Sequence, residues 1–139
     1  MNKYLGLDLG SKTIGVSISE SGIIASNLET IRFTDNNYEE ALILLIKTIE
    51  DRQITHVVLG VPRHMNNDLG IRGQISVDFG KKIEEKTTVK VILWDERLTT
   101  KQALDTLIEG QVRRDKQKRL KDELAATIIL QNYLNSISN

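Results

Sequence analysis

A chain of 139 residues with 40% hydrophobic side chains has the size of one globular domain, residues 1–139, and is too short for two lobes of ordinary size. Its 19 basic and 19 acidic residues cancel, so a polyanionic partner would have to be met by a local patch. The lack of cysteine excludes a disulfide framework, a thiolate metal site and a cysteine nucleophile. With neither a signal-peptide pattern nor a membrane-length apolar run, the expectation is a soluble, cytoplasmic protein with no membrane partner.

Residues 3–31 hold three short segments rich in β-branched and apolar side chains, separated by Gly10-Ser11-Lys12-Thr13 and by Ser21-Gly22. That is the pattern of consecutive hairpins, so three antiparallel strands are predicted. In the first, Leu5, Leu7 and Leu9 alternate with Tyr4, Gly6, Asp8 and Gly10, which puts Asp8 on a face of small and polar residues. From Tyr38 the period changes, and Ala41, Leu42, Leu45, Ile46 and Ile49 form the stripe of an amphipathic helix. "HVVLGVP" is a fourth strand halted by Pro62; Ile71, Ile75, Phe79 and Ile83 recur every fourth residue in a second helix; and "VKVILWDE" is a fifth strand ending on Asp95-Glu96. Thr99 and Gln102 suit a capping box for a third helix that carries Leu104 and Leu107 and closes at Gly110. A last helix is predicted over residues 120–135.

The order βββαβαβαα, with right-handed crossovers, places the first, fourth and fifth strands parallel. Asp8, Val61-Pro62 and Asp95-Glu96 then fall at carboxyl strand ends, where ligands sit in open α/β sheets. Taken singly, each acid has a plainer reading. Asp8 suits a turn before Gly10, Asp95 and Glu96 suit loop carboxylates bonded to amides or Arg97, and Asp122 suits a solvated helix. Taken together, carboxylates gathered at one edge repel unless a cation lies between them. Oxygen ligands without Cys or a well-placed His select Mg²⁺ or Mn²⁺ over zinc. His56 and His64 are read as structural or surface residues, and Trp94 as a core residue.

"GLDLGSKTIGVSIS", "VVLGVP", "DERLTT" and "DELAATIILQNYL" resemble, in order and spacing, the four blocks of the YqgF/RuvX family of Holliday-junction-resolvase-like, pre-16S ribosomal RNA nucleases. The resemblance spans essentially the whole chain. It implies an α/β, ribonuclease H-like fold, a mixed sheet of three antiparallel strands followed by two parallel ones and flanked by helices. It also implies a metal-dependent nuclease with a catalytic, metal-binding set of Asp8, Asp95 and Asp122, and with Glu96 as accessory. The implied substrate is structured RNA, namely precursor rRNA during ribosome maturation. Branched four-way DNA is the alternative, and the expected protein is a monomer or weak homodimer. Thr13 stands where the family often has Arg, so one phosphate ligand is missing there.

Two other readings remain. "DLGSKTIGVSIS" also resembles the first phosphate loop of actin-like and sugar-kinase-like ATPases, which clamp nucleotide between two such domains where this chain supplies one. A catalytically idle nucleic-acid-binding factor is the other. Lys12 in the first turn, Arg97 beside the acidic pair, and Arg113, Arg114 and Lys116 in "GQVRRDKQKRLKD" are the candidate phosphate ligands. The basic run is expected to be a mobile arm that closes over a phosphate backbone.

Overall fold

The computed structural model describes residues 1–64, 66, 68–98 and 114–138, and leaves aside the side chains of residues 98 and 114–123. Strands β1 (Tyr4–Leu9), β2 (Thr13–Ser19) and β3 (Ser26–Arg32) form the expected antiparallel meander. The first turn is closed by the Gly10 N–H, which donates to the Thr13 carbonyl at 2.8 Å. Helix α1 (Tyr38–Asp51) leads to β4 (His56–Val61), and α2 (Gly70–Lys86) leads to β5 (Lys90–Asp95). Both later strands pair in parallel, giving one mixed five-stranded sheet in the order β3-β2-β1-β4-β5. A single 3₁₀ turn, Glu96–Leu98, follows β5, and helix α3 (Arg114–Ile137) ends the fold.

Strand alternation divides the core in two. Leu5, Leu7, Leu9, Ile14, Val16, Val57 and Leu59 face α1 and α2, and pack with Leu42, Leu45, Phe79 and Ile83. The opposite face carries Tyr4 and Val58, covered by Ile129, Leu130 and Leu134 of α3. In α1, the side chain of Asn37 caps the helix by accepting from the Glu40 N–H at 3.1 Å. This satisfies one of the orphan donors of the first turn.

The small residues opposite the leucines let α3 lie directly on the sheet. A Cβ on Gly6 would come within 2.6 Å of Leu130 Cβ and 2.7 Å of the Ala126 carbonyl oxygen. Buried Ser17 donates to that same carbonyl at 2.8 Å. The face that carries Asp8 is therefore a seat for α3.

Two expectations need correction. Ile71 does not join the apolar stripe of α2, because it is 81% exposed while Phe79 and Ile83 are buried. A strict four-residue repeat drifts around a helix of 3.6 residues per turn, and Gly73, Ser76, Phe79, Gly80 and Ile83 are the ones that follow the true buried face. The final helix also starts earlier than residue 120, at Arg114, so the backbone from Arg114 through Lys121 is helical. The predicted helix from Thr99 to Gly110 and Arg113 lie outside the described residues. No helix among the described residues is long and apolar enough to cross a membrane.

Candidate active site

Asp8 is the next-to-last residue of β1, paired with Gly15 on β2. The β1–β4 ladder ends at Leu7↔Leu59, so Asp8 stands level with Gly60, which in turn pairs with Trp94 of β5. These three positions share the α3 face of the sheet. Glu96 is two residues past Trp94, and its side chain folds back over Gly60. A Cβ on Gly60 would meet Glu96 Oε1 at 2.7 Å and Ile129 Cδ1 at 2.6 Å. The bare backbone at Gly60 is thus what admits the Glu96 carboxyl to the site.

Glu96 meets Asp8 there, and the two share a hydrogen bond. Burial raises the Glu96 carboxyl to about 7, with the charge of Asp8, that hydrogen bond and the charge of Asp95 adding to the effect, and Arg72 opposing it. Two carboxyl groups in contact and partly desolvated oppose each other's ionisation, so Glu96 keeps its proton to a higher pH than an ordinary carboxyl does.

Asp95 behaves in the opposite way. Alternation turns it away from Asp8, and Arg97 encloses it. The Arg97 Nη2 donates at 2.6 Å, Nε donates to both carboxylate oxygens at 3.1 Å, and the Arg97 N–H donates at 2.9 Å. Arg63 Nε lies 3.9 Å away. The hydrogen bonds from Arg97 hold the Asp95 carboxyl below the usual carboxylate range, with the charges of Arg97 and Arg63 contributing. Arg97 also donates through Nη1 to the His64 carbonyl at 3.2 Å, which ties the end of β5 to the loop after β4.

The structure therefore brings Glu96 to Asp8 and places Asp95 among arginines. Asp122 lies in α3 one turn before Ala126. Because α3 runs antiparallel to β1, with Ala126 near Gly6 and Gly15 and Leu134 near Tyr4, that turn leads toward the end of the sheet bearing Asp8. Arg114 and Lys116 occupy its first turn, beyond Asp122. Lys12 is exposed in the β1–β2 turn, with its carbonyl accepting from the Phe33 N–H. Among the described residues, no three carboxylate or imidazole groups are gathered as a metal cage.

His56 opens β4 at the far end of the sheet, stacks on Tyr4 at 5.0 Å and bonds Thr55 Oγ1 at 2.8 Å, a structural place as expected. Trp94 packs edge-on against Tyr133 at 5.8 Å. Sequence reasoning missed Gly60, Arg63 and Arg72. A glycine inside the apolar run of "VVLGVP" was a readable signal for close approach, whereas nothing local marks the two arginines. Asp8 and Glu96 offer oxygen donors only, the chemistry of a hard divalent cation, and a cation between them would displace the proton that Glu96 retains.

The model of one family, RuvX, described as Holliday junction resolvase, matches residues 2–136. A protein of Onion yellows phytoplasma named "Putative pre-16S rRNA nuclease" is 53% identical over 137 residues, covering 98% of this chain and 91% of its own. One of the same name from Staphylococcus epidermidis is 42% identical over 138 residues, covering 98% and 97%. Among solved structures, Thermus thermophilus RuvC in complex with a Holliday junction substrate superposes with a TM-score of 0.64 at 13% identity, over 99% of this chain and 98% of that one. This last likeness establishes the ribonuclease H-like fold.

Proposed function

This chain belongs to the RuvX family, and from that premise we propose that it is a metal-dependent endonuclease. It hydrolyses phosphodiester bonds in structured nucleic acid, with precursor 16S rRNA as its substrate in the cytoplasm. The observation that carries the reading is the Asp8–Glu96 carboxyl pair at the carboxyl ends of β1 and β5, in the place where α/β sheets bind ligands.

Asp8, Glu96 and Asp122 are the residues that would hold Mg²⁺ or Mn²⁺. Asp95, which the family resemblance put in that set, suits a different task here. A bound divalent ion supplies a water of lowered pKa and charge compensation at the scissile phosphate. With a divalent ion held there, Glu96 would give up its proton, because the added positive charge would offset the crowding of negative charge with Asp8. Asp95 fixes the planar fork of Arg97 and draws in Arg63, presenting two guanidinium groups to the phosphate backbone. Lys12, exposed in the β1–β2 turn, adds a further cation, and the basic run with Arg113, Arg114 and Lys116 is proposed to contact the phosphate backbone as well.

The test is cleavage by purified protein of precursor 16S rRNA and, in parallel, of four-way junction DNA, in Mg²⁺ or Mn²⁺ and in chelator. Metal-dependent cleavage of the RNA, lost in Asp8→Asn with substrate binding kept, is the expected result. Cleavage of the junction alone would favour the DNA reading that the family's description carries. No cleavage of either would favour the idle binding factor.

A further inference from the structure

We infer that Arg72 is a positioning residue for this site: its guanidinium ties the carbonyl of Leu9, the residue after Asp8, to the Tyr38 hydroxyl, and so fixes the strand end that presents Asp8. The inference rests on the nuclease reading for its catalytic consequence and on geometry alone for the tether.

The end of β1 needs such a tether. The ladder with β4 ends at Leu7↔Leu59, whereas pairing with β2 runs on to Leu9↔Ile14, so the last two residues of β1 lie beyond one of their two ladders. Arg72, in the first turn of α2, holds this strand end, with Nη2 donating to the Leu9 carbonyl at 3.2 Å. Its other arm, Nη1, donates to the Tyr38 hydroxyl at 3.1 Å. Tyr38 is itself held, with its ring against Phe33 at 5.8 Å and its hydroxyl donating to Asn36 Oδ1 at 3.3 Å.

One planar fork thus joins the end of β1 to the starts of α1 and α2. A lysine ammonium is a single point and cannot span both acceptors in fixed geometry. The same charge acts favourably on ionised Glu96, so Arg72 also relieves part of the crowding of negative charge at the pair. Misplacement of a reacting group by about 1 Å is enough to cost on the order of 100-fold in rate.

Arg72→Gln, Arg72→Lys and Tyr38→Phe are compared with wild type in single-turnover cleavage of precursor 16S rRNA, in binding across a salt series, and in amide exchange at Gly10, whose N–H closes the turn after Leu9. Arg72→Gln is expected to lower the saturated cleavage rate by about 10-fold or more while affinity and salt dependence stay as in wild type. Exchange at Gly10 should accelerate by about 10-fold, and Arg72→Lys should recover little of either effect because the fork is missing. Tyr38→Phe should show the same pattern more weakly.

Full rescue by lysine would reduce the role to charge and overturn the inference. A salt dependence shallower by about one would make Arg72 a phosphate ligand instead. Faster exchange at Gly10 with an unchanged cleavage rate would leave only a brace and also overturn it. If wild type cleaves neither RNA nor junction, the nuclease reading fails. The Gly10 exchange then decides alone: acceleration upholds Arg72 as the holder of the strand end, and no change refutes it.

Discussion

Glu96→Gln removes the charge that the site tolerates least while keeping the shape and a hydrogen-bond donor toward Asp8. In the folded protein the Glu96 carboxyl is raised from an ordinary value of 4.5 to about 7. Folding therefore favours the protonated form. The associated stability is fully present below pH 4.5, is lost as pH rises toward 7, and leaves ionised Glu96 as a net cost above that. At roughly 1.4 kcal/mol per pKa step, the cost at pH 8 has a ceiling of about 3 kcal/mol, and solvent at this half-buried group brings it nearer to about 1–2 kcal/mol.

For a chain of this length, 1 kcal/mol corresponds to about 3–5 °C in Tm. In chelator at pH 8 the Gln variant should melt several degrees above wild type, and at pH 4.5 the two should coincide. Thermal melting followed by circular dichroism across that range gives the comparison. Adding Mg²⁺ or Mn²⁺ at pH 8 should raise the Tm of wild type and close the gap, since a cation between the two ionised carboxylates would offset their repulsion. A variant that is equally or less stable than wild type at pH 8 in chelator would refute the argument that Asp8 and Glu96 oppose each other's ionisation.

Gly60→Ala should displace Glu96 and strain Ile129, lowering stability by about 1–3 kcal/mol by overpacking and cutting cleavage further than the stability loss explains; melting and single-turnover assays separate the two. Asp95→Asn should weaken substrate binding more than the saturated cleavage rate, because it loosens Arg97 and Arg63, whereas a loss of rate with unchanged affinity would return Asp95 to the metal-binding set. Asp95 is held below the ordinary carboxylate range, so its contribution to stability is present at neutral pH and fades as pH falls through its lowered pKa; a wild-type acid melting transition shifted in Asp95→Asn would show it. Neutralising Arg113, Arg114 and Lys116 together should lower affinity for all sequences alike and flatten the salt dependence by about one for each phosphate left without its cation. Parallel salt plots with unchanged affinity would mark the run as surface only.

Local pattern alone determined the three hairpin strands, the parallel placement of β4 and β5, and Asp8 on a face of small residues. Each of these follows from a period of 2 or 3.6 and from turn residues within a few positions of one another. Which acid meets Asp8 was a different kind of question. Asp95 and Glu96 are adjacent in sequence, and choosing between them required the parity of β5 relative to β1. Parity depends on two parallel registers and on where the last strand gives way to the 3₁₀ turn. Arg72 was hidden for the same reason, and Gly60 marked a close approach without saying what approaches. Their partners, Leu9 and Tyr38 for the one, Glu96 and Ile129 for the other, are far away in the chain, so their roles exist only once α2 and α3 are packed against the sheet.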